Sequence, residues 1–304
     1  MPKSILVAGS LHHDVVVDAE RLPALDETLP GTEVRYIAGG KGRNQAAAIA
    51  HNAGRCAMAG RVGNDAQGMS MIANLREAGV DVSLMQTGTG ETTGMSVAIV
   101  NAHGEYGAVI VSGANLSLDA DKITVPADAG FLLLQNEIAE ATNIALARKA
   151  RSAGLTTVLN AAPARTMTTE LSDLIDVLIV NRVEASGLTG QPLSTTAEAM
   201  DAARQLSQSV GKVIVTLGGD GLVHMRAGGR AEYQPAFRAK VVSGHGAGDF
   251  FTGAFVSQLA AGSEFEAAIH YAQAAAAVYV STEIDKRQQI RPVQIRARLG
   301  EDEL

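Results

Sequence analysis

From about residue 130 onward, short apolar runs alternate with stretches of helical period, and this alternation constrains the fold more tightly than any other feature of the chain. Residues 131–134, 157–159, 177–180 and 212–217 read as buried strands, and Ile5-Leu6-Val7-Ala8-Gly9 is a similar strand near the N-terminus. Residues 138–153 and 197–210 carry apolar side chains at helical spacing, as do 69–78 and the alanine-rich 44–52. Strands joined through helices by short connections pair in parallel and need cover on both faces. The expected fold is therefore a three-layer α/β/α arrangement with a mostly parallel central sheet, and ligands belong at the carboxyl ends of its strands.

Two regions break the rhythm. Residues 14–18 with 33–37, and 92–101 followed by 105–112, read as β-structure, the second pair joined by a turn at Asn101-Ala102-His103-Gly104. They imply a small β-sheet protruding from the main body, discontinuous in sequence over about 12–18, 33–37 and 92–112. No repeat or charged linker marks a boundary, so residues 1–304 are expected to form one domain carrying this insertion.

Composition narrows the function classes. Hydrophobic residues make up 46% and charged residues 19%, the profile of an ordered globular protein. The formal charge of -7 offers no general attraction to nucleic acid or to an anionic membrane surface. The longest apolar run, 274–280, is far too short to cross a bilayer, and the first apolar segment is too short for a signal sequence. Cys56 is the only cysteine, which excludes an intrachain disulfide, suggests a reducing cytoplasmic setting and reads as an inert core thiol. The terminal Glu301-Asp302-Glu303-Leu304 echoes an ER-retention tail and is discounted without a signal sequence.

The chemistry concentrates in Val241-Val242-Ser243-Gly244-His245-Gly246-Ala247-Gly248-Asp249-Phe250. A strand is expected to enter this segment and a helix to leave it. At the start of that helix, the backbone N–H groups of Gly246, Ala247 and Gly248 would face outward with the positive end of the helix dipole, forming an anion site. Asp249 beside it could act as general base for a hydroxyl, or could merely cap the helix. The chain has neither a Walker-type phosphate loop nor a dinucleotide fingerprint after the first strand.

Two separated segments make the pattern specific. Gly246-Ala247-Gly248-Asp249 with Gly253, and Gly39-Gly40-Lys41-Gly42-Arg43-Asn44-Gln45-Ala46, together resemble the signatures of the ribokinase-like (PfkB-type) carbohydrate kinases. Asn181-Arg182-Val183-Glu184 and Thr216-Leu217-Gly218-Gly219-Asp220-Gly221 lie between them in the family's order, and the resemblance spans nearly the whole chain. It implies an ATP-dependent phosphotransferase acting on a hydroxyl of a sugar or sugar-like alcohol, with Asp249 as base and the amides of Gly246 to Gly248 around the phosphoryl group. It places Asn181, Thr216, Gly218, Gly219, Gly221 and Gln273 along ATP, and assigns Mg²⁺ to Glu184 through water. The bland readings are a capping pair for Asn181 and Glu184 and a plain hairpin turn for Thr216 to Gly221.

By the same resemblance, His12, Asp14, Gly40, Lys41, Asn44 and Glu137 line the sugar pocket. The β-element then serves as a lid, and its exposed apolar strands could pair two subunits into a homodimer. The chain departs from the pattern in two places. Ribose-specific relatives carry asparagine where this chain has His12, and relatives activated by a monovalent cation carry Asp where Ser243 stands. The late loop is here Thr282-Glu283-Ile284-Asp285-Lys286-Arg287, so a K⁺ site is doubtful, and Lys286 or Arg287 could supply the missing positive field. His12 and His13 have no companion ligands that would make a metal site. A nucleoside kinase of the same family and a non-catalytic sugar- or nucleotide-binding regulator are the competing readings.

Overall fold

A computed structural model describes residues 2–101, 103 and 105–301. Ala102 and Gly104 of the expected turn, and Asp302, Glu303 and Leu304 of the acidic tail, lie outside the described residues.

The central sheet has eight strands: β1 (Ser4–Ala8), β4 (Cys56–Ala59), β9 (Ala129–Gln135), β10 (Thr156–Asn160), β11 (Val177–Asn181), β12 (Lys212–Thr216), β13 (Leu222–Arg226) and β14 (Glu232–Gln234). Their spatial order is β14-β13-β12-β11-β10-β9-β1-β4. Pairing is parallel from β4 through β12 and antiparallel for the two edge strands β13 and β14. The parallel strands are apolar on both faces because each face is covered. Ile5 and Val7 of β1 enter one core, Leu6 and Ala8 the other, as the two-residue period of a strand requires.

The first core is closed by α1 (Lys41–His51), α2 (Ala66–Glu77), α7 (Ala247–Ala260), α8 (Phe265–Ser281) and α9 (Pro292–Glu301). The second is closed by α3 (Glu140–Ser152), the short α4 (Thr169–Ser172), α5 (Arg182–Thr189) and α6 (Thr196–Leu206). Leu132, Leu133, Leu134 and Phe255 are almost wholly buried, and each side chain of that kind contributes roughly 1.5–3 kcal/mol when removed from water. Cys56 is buried in β4, where burial pushes its thiol well above the ordinary range.

A separate four-stranded sheet has the order β3 (Gly31–Gly39), β2 (His12–Ala19), β7 (Met95–Val100) and β8 (Tyr106–Val111). β2 and β7 run parallel, and the outer pairs are antiparallel. Asn101 closes the β7–β8 turn by accepting from the amides of His103 and Glu105, both at 2.9 Å. A two-stranded ribbon, β5 (Arg61–Gly63) with β6 (Gln86–Gly88), lies outside the expected elements.

Element boundaries shift where caps decide them. α1 and α2 each begin three residues before the apolar period does, at a glycine N-cap (Gly40) and at Asp65, whose side chain accepts from the Gly68 amide at 2.7 Å. The strand expected to enter the glycine-rich segment does not form. Val241 and Val242 are exposed, and the Val242 amide bonds to the Val280 carbonyl at the end of α8, so the stretch runs as irregular chain into α7.

Candidate active site

β1 pairs with β4 on one side and β9 on the other, so the strand order reverses there, and the carboxyl ends of β1 and β9 to β12 lie along one edge of the sheet, where ligands of such sheets bind. Ser10 follows β1, Gln135 ends β9 with Glu137 just beyond, and Asn160, Asn181 and Thr216 end the next three strands. The first turns of α1 and α7 meet there, Asn44 and Gln45 of one bonding Asp249 of the other, with Gln45 also bonding Asn160 at the end of β10.

Asp249 lies in the first turn of α7 and is buried. Its Oδ1 accepts from Gln45 Nε2 at 2.9 Å, and its Oδ2 accepts from Asn44 Nδ2 at 3.2 Å. Burial pushes the carboxyl above its ordinary range, with the Glu137 charge adding to the rise; the Lys41 ammonium and the two amide bonds work against it. A carboxylate raised in this way is a stronger base than an exposed one.

Gly246 caps α7 in the left-handed region at φ 80, where a Cβ would stand 2.7 Å from the Tyr279 hydroxyl, so glycine is required on both counts. The amides of Gly246 and Gly248 have no partner among the described residues, and a Cβ at Gly248 would meet nothing within 4 Å. The Ala247 amide instead turns back onto the Gly244 carbonyl at 3.2 Å. The amides left open at the start of α7 thus include Gly246 and Gly248, with Ala247 closing the turn.

The residues expected to bind the acceptor lie together as a second group. Gly40, at φ 90, packs so closely that a Cβ would lie 2.8 Å from backbone atoms of Ser10, Leu11 and His12. Glu137 is turned inward. Its Oε2 accepts from the Lys41 amide at 2.8 Å and from the Ser10 hydroxyl, so it satisfies the first amide of α1. Asp14 lies against Gly39 and accepts from Ser96 Oγ at 2.5 Å; burial pushes its carboxyl upward. His12 is buried with Nδ1 at 3.9 Å from Glu137 and its Nε2 without a partner among the described residues.

The residues expected along the nucleotide take more conventional structural roles. Asn181 and Glu184 form a capping box: the Glu184 amide donates to Asn181 Oδ1 at 2.9 Å and the Asn181 amide to Glu184 Oε2 at 2.7 Å. Glu184 is nonetheless buried, which pushes its carboxyl upward, and it feels both Lys41 and Asp249. Thr216 to Gly221 form the turn between β12 and β13, in which Gly218 and Gly221 hold positive φ and both Gly218 and Gly219 face open space. Gln273 Nε2 reaches the carbonyls of Gln234 and Pro235 at 3.4 and 3.2 Å, leaving its buried Oε1 without a partner among the described residues. Among the described residues no group of three or more His, Cys, Asp or Glu is arranged to hold a metal, and no helix is long and apolar enough to cross a membrane.

A family model described as pfkB family carbohydrate kinase matches residues 2–286. The chain belongs to that family. This kinase is 34% identical over 286 residues to a ribokinase of Arabidopsis thaliana, covering 91% of this chain and 76% of the relative. It is 35% identical over 288 residues to a ribokinase of Bacillus subtilis, covering 91% and 93%. A solved structure of Arabidopsis thaliana ribokinase complexed with ribose and ATP superimposes with a TM-score of 0.91 at 31% identity, covering 98% of this chain and 99% of the other.

The kinase also uses residues that sequence reasoning left without roles. Gln45 is fully buried and ties Asp249 to Asn160 and, through its own Oε1, to Gln135 Nε2 at 2.7 Å. Ser10, also fully buried, joins Glu137 to the start of α1. The signal was present as polar residues ending apolar strands, Asn160 and Gln135 among them, where a structural role alone would favour apolar side chains.

Proposed function

We propose that the whole chain acts as one kinase domain that transfers the γ-phosphoryl group of ATP to a hydroxyl of a sugar, with ribose the first acceptor to test. The observation that carries the residue assignment is Asp249, a buried carboxylate of raised pKa held by Gln45 and Asn44 within one helical turn of the unpaired Gly246 and Gly248 amides.

Asp249 accepts the proton as the hydroxyl oxygen bonds to phosphorus, the bond to the β-phosphate oxygen breaks, and ADP leaves. The Gly246 and Gly248 amides and the α7 dipole stabilise charge on the transferring oxygens. Asp14, Lys41, Asn44, Gly40, Glu137 and His12 orient the acceptor. Asn181, Thr216, Gly218, Gly219, Gly221 and Gln273 border the nucleotide, with Gly218 and Gly219 presenting backbone unobstructed by side chains. One buried carboxylate without a dedicated cage suits Mg²⁺, which keeps most of its water. Glu184 would hold it, and the ion would neutralise phosphate charge.

The four-stranded sheet acts as a lid that excludes water from the transfer. Tyr36, Val109 and Ile110 on it are exposed, so we place a homodimer contact there. The single buried thiol fits a cytoplasmic setting. ADP release measured over ribose, other pentoses, hexoses and nucleosides tests the reading. Turnover on a nucleoside alone would move the assignment to a nucleoside kinase, and binding without turnover on any acceptor would make it a regulator.

A further inference from the structure

Arg287 lies in the short helical turn Ile284–Gln289 after α8 and is only 7% exposed. Its guanidinium forks across the loop leading into α7: Nη2 donates to the Ser243 carbonyl at 2.6 Å and Nη1 to the His245 carbonyl at 2.9 Å. Nε reaches the Thr282 carbonyl at 3.3 Å, where the negative end of the α8 dipole lies. One face covers the Tyr279 ring at 4.3 Å, and that ring stacks on Phe250 at 4.6 Å. No carboxylate stands within ion-pair distance of Arg287 among the described residues. Lys286, by contrast, is exposed and paired with Glu283.

A buried cation is costly unless an anion or strong dipoles compensate it. Here dipoles are supplied by the protein, and the unmatched charge lies one residue from Gly246, whose amide faces the anion site. We propose that Arg287 is a positioning residue and built-in cation of this kinase. It holds the 243–245 loop so that the Gly246 and Gly248 amides converge, and it adds a fixed positive charge that favours ATP phosphate. The residues do not fit a monovalent cation: the carbonyls of Ser243 and His245 are already taken by a guanidinium, and Ser243 offers no carboxylate. The enzyme is therefore expected to work without K⁺. The inference rests on reading the α7 N-terminus as the phosphate site.

Initial rates of the parent enzyme in choline or tetramethylammonium buffer should change by less than about twofold on adding KCl; activation of roughly tenfold or more would overturn the proposal. Arg287→Met should lower kcat/KM for ATP by roughly ten- to a hundredfold, from the loss of charge-assisted hydrogen bonds, with millimolar guanidinium restoring part of the loss. A folded Arg287→Met enzyme with parental kcat/KM would also overturn it. Should that variant not fold, Arg287→Lys serves instead: it retains charge but cannot fork across two carbonyls, and it should show raised KM for ATP with thermal stability retained. Equilibrium ATP affinity of the same variants does not depend on the acceptor or on proton transfer. Failure here is thus separable from failure of the catalytic reading, which Asp249→Ala tests.

Discussion

Gln45 Nε2 donates to Asp249 Oδ1 at 2.9 Å and to Asn160 Oδ1 at the same distance, so one neutral amide holds the base of α7 against the end of β10. A hydrogen bond to the ionised form favours ionisation, and this one opposes the upward push of burial on Asp249. If Asp249 is the base proposed above, the balance between them sets the pH at which it works.

Replacing Gln45 by Met keeps the volume and removes the donor. The Asp249 carboxyl should then rise further, moving the acid limb of kcat/KM against pH upward. Activity should fall roughly ten- to a hundredfold near neutrality, as expected for a lost bond to a charged group. An acid limb that stays in place would refute the assigned role.

Asp249→Ala should reduce turnover by roughly 10²–10⁴-fold, the usual contribution of a general base. Stability gives an independent sign. Because the folded carboxyl is raised, the parent holds its full stability below the unfolded carboxylate value and loses some as pH climbs through the folded one. The variant lacks that loss, so variant-minus-parent unfolding free energy, measured in urea, should shift in the variant's favour between acidic and neutral pH.

Gly246→Ala forces a methyl group into φ 80 and against the Tyr279 hydroxyl. The backbone alone should cost about 1–2 kcal/mol. Tyr279→Phe removes the colliding oxygen, so the double variant should recover the steric part while keeping the backbone cost. A double-mutant cycle in thermal or urea unfolding measures this coupling, and additive single effects would contradict the geometry.

Substitution can separate the capping role of Glu184 from its proposed role at Mg²⁺. Glu184→Gln keeps an oxygen for the Asn181 amide but removes the charge, so stability should stay near the parent while KM for MgATP rises. Glu184→Ala removes the capping box too and should cost a further ~0.5–2 kcal/mol. Unchanged nucleotide kinetics in Glu184→Gln would leave the residue as a cap alone.

The strand-and-helix alternation was legible because a buried parallel sheet needs unbroken apolar runs, and the glycines were legible because few other residues tolerate close approach or positive φ. Boundaries were less so. α1 and α2 start at caps and not at the first apolar residue, and Val241-Val242 looked like a strand although among the described residues no neighbouring strand pairs with it. Partners were legible only where they are local: the pattern of Asn181 and Glu184 favoured a capping pair while the resemblance assigned them to ATP and Mg²⁺, and the structure shows the cap bonds directly.

By itself the sequence determined the layered architecture, the two glycine-rich segments and the presence of an acid at position 249, since each follows from local pattern and backbone freedom. The tertiary structure decided what that acid is. Asn44 and Gln45 meet Asp249 across separations of 205 and 204 residues, and Arg287 reaches back 44 and 42 residues to the carbonyls of Ser243 and His245. The basicity of Asp249 and the charge beside Gly246 depend on burial and on neighbours brought together only by folding, and no local pattern encodes either.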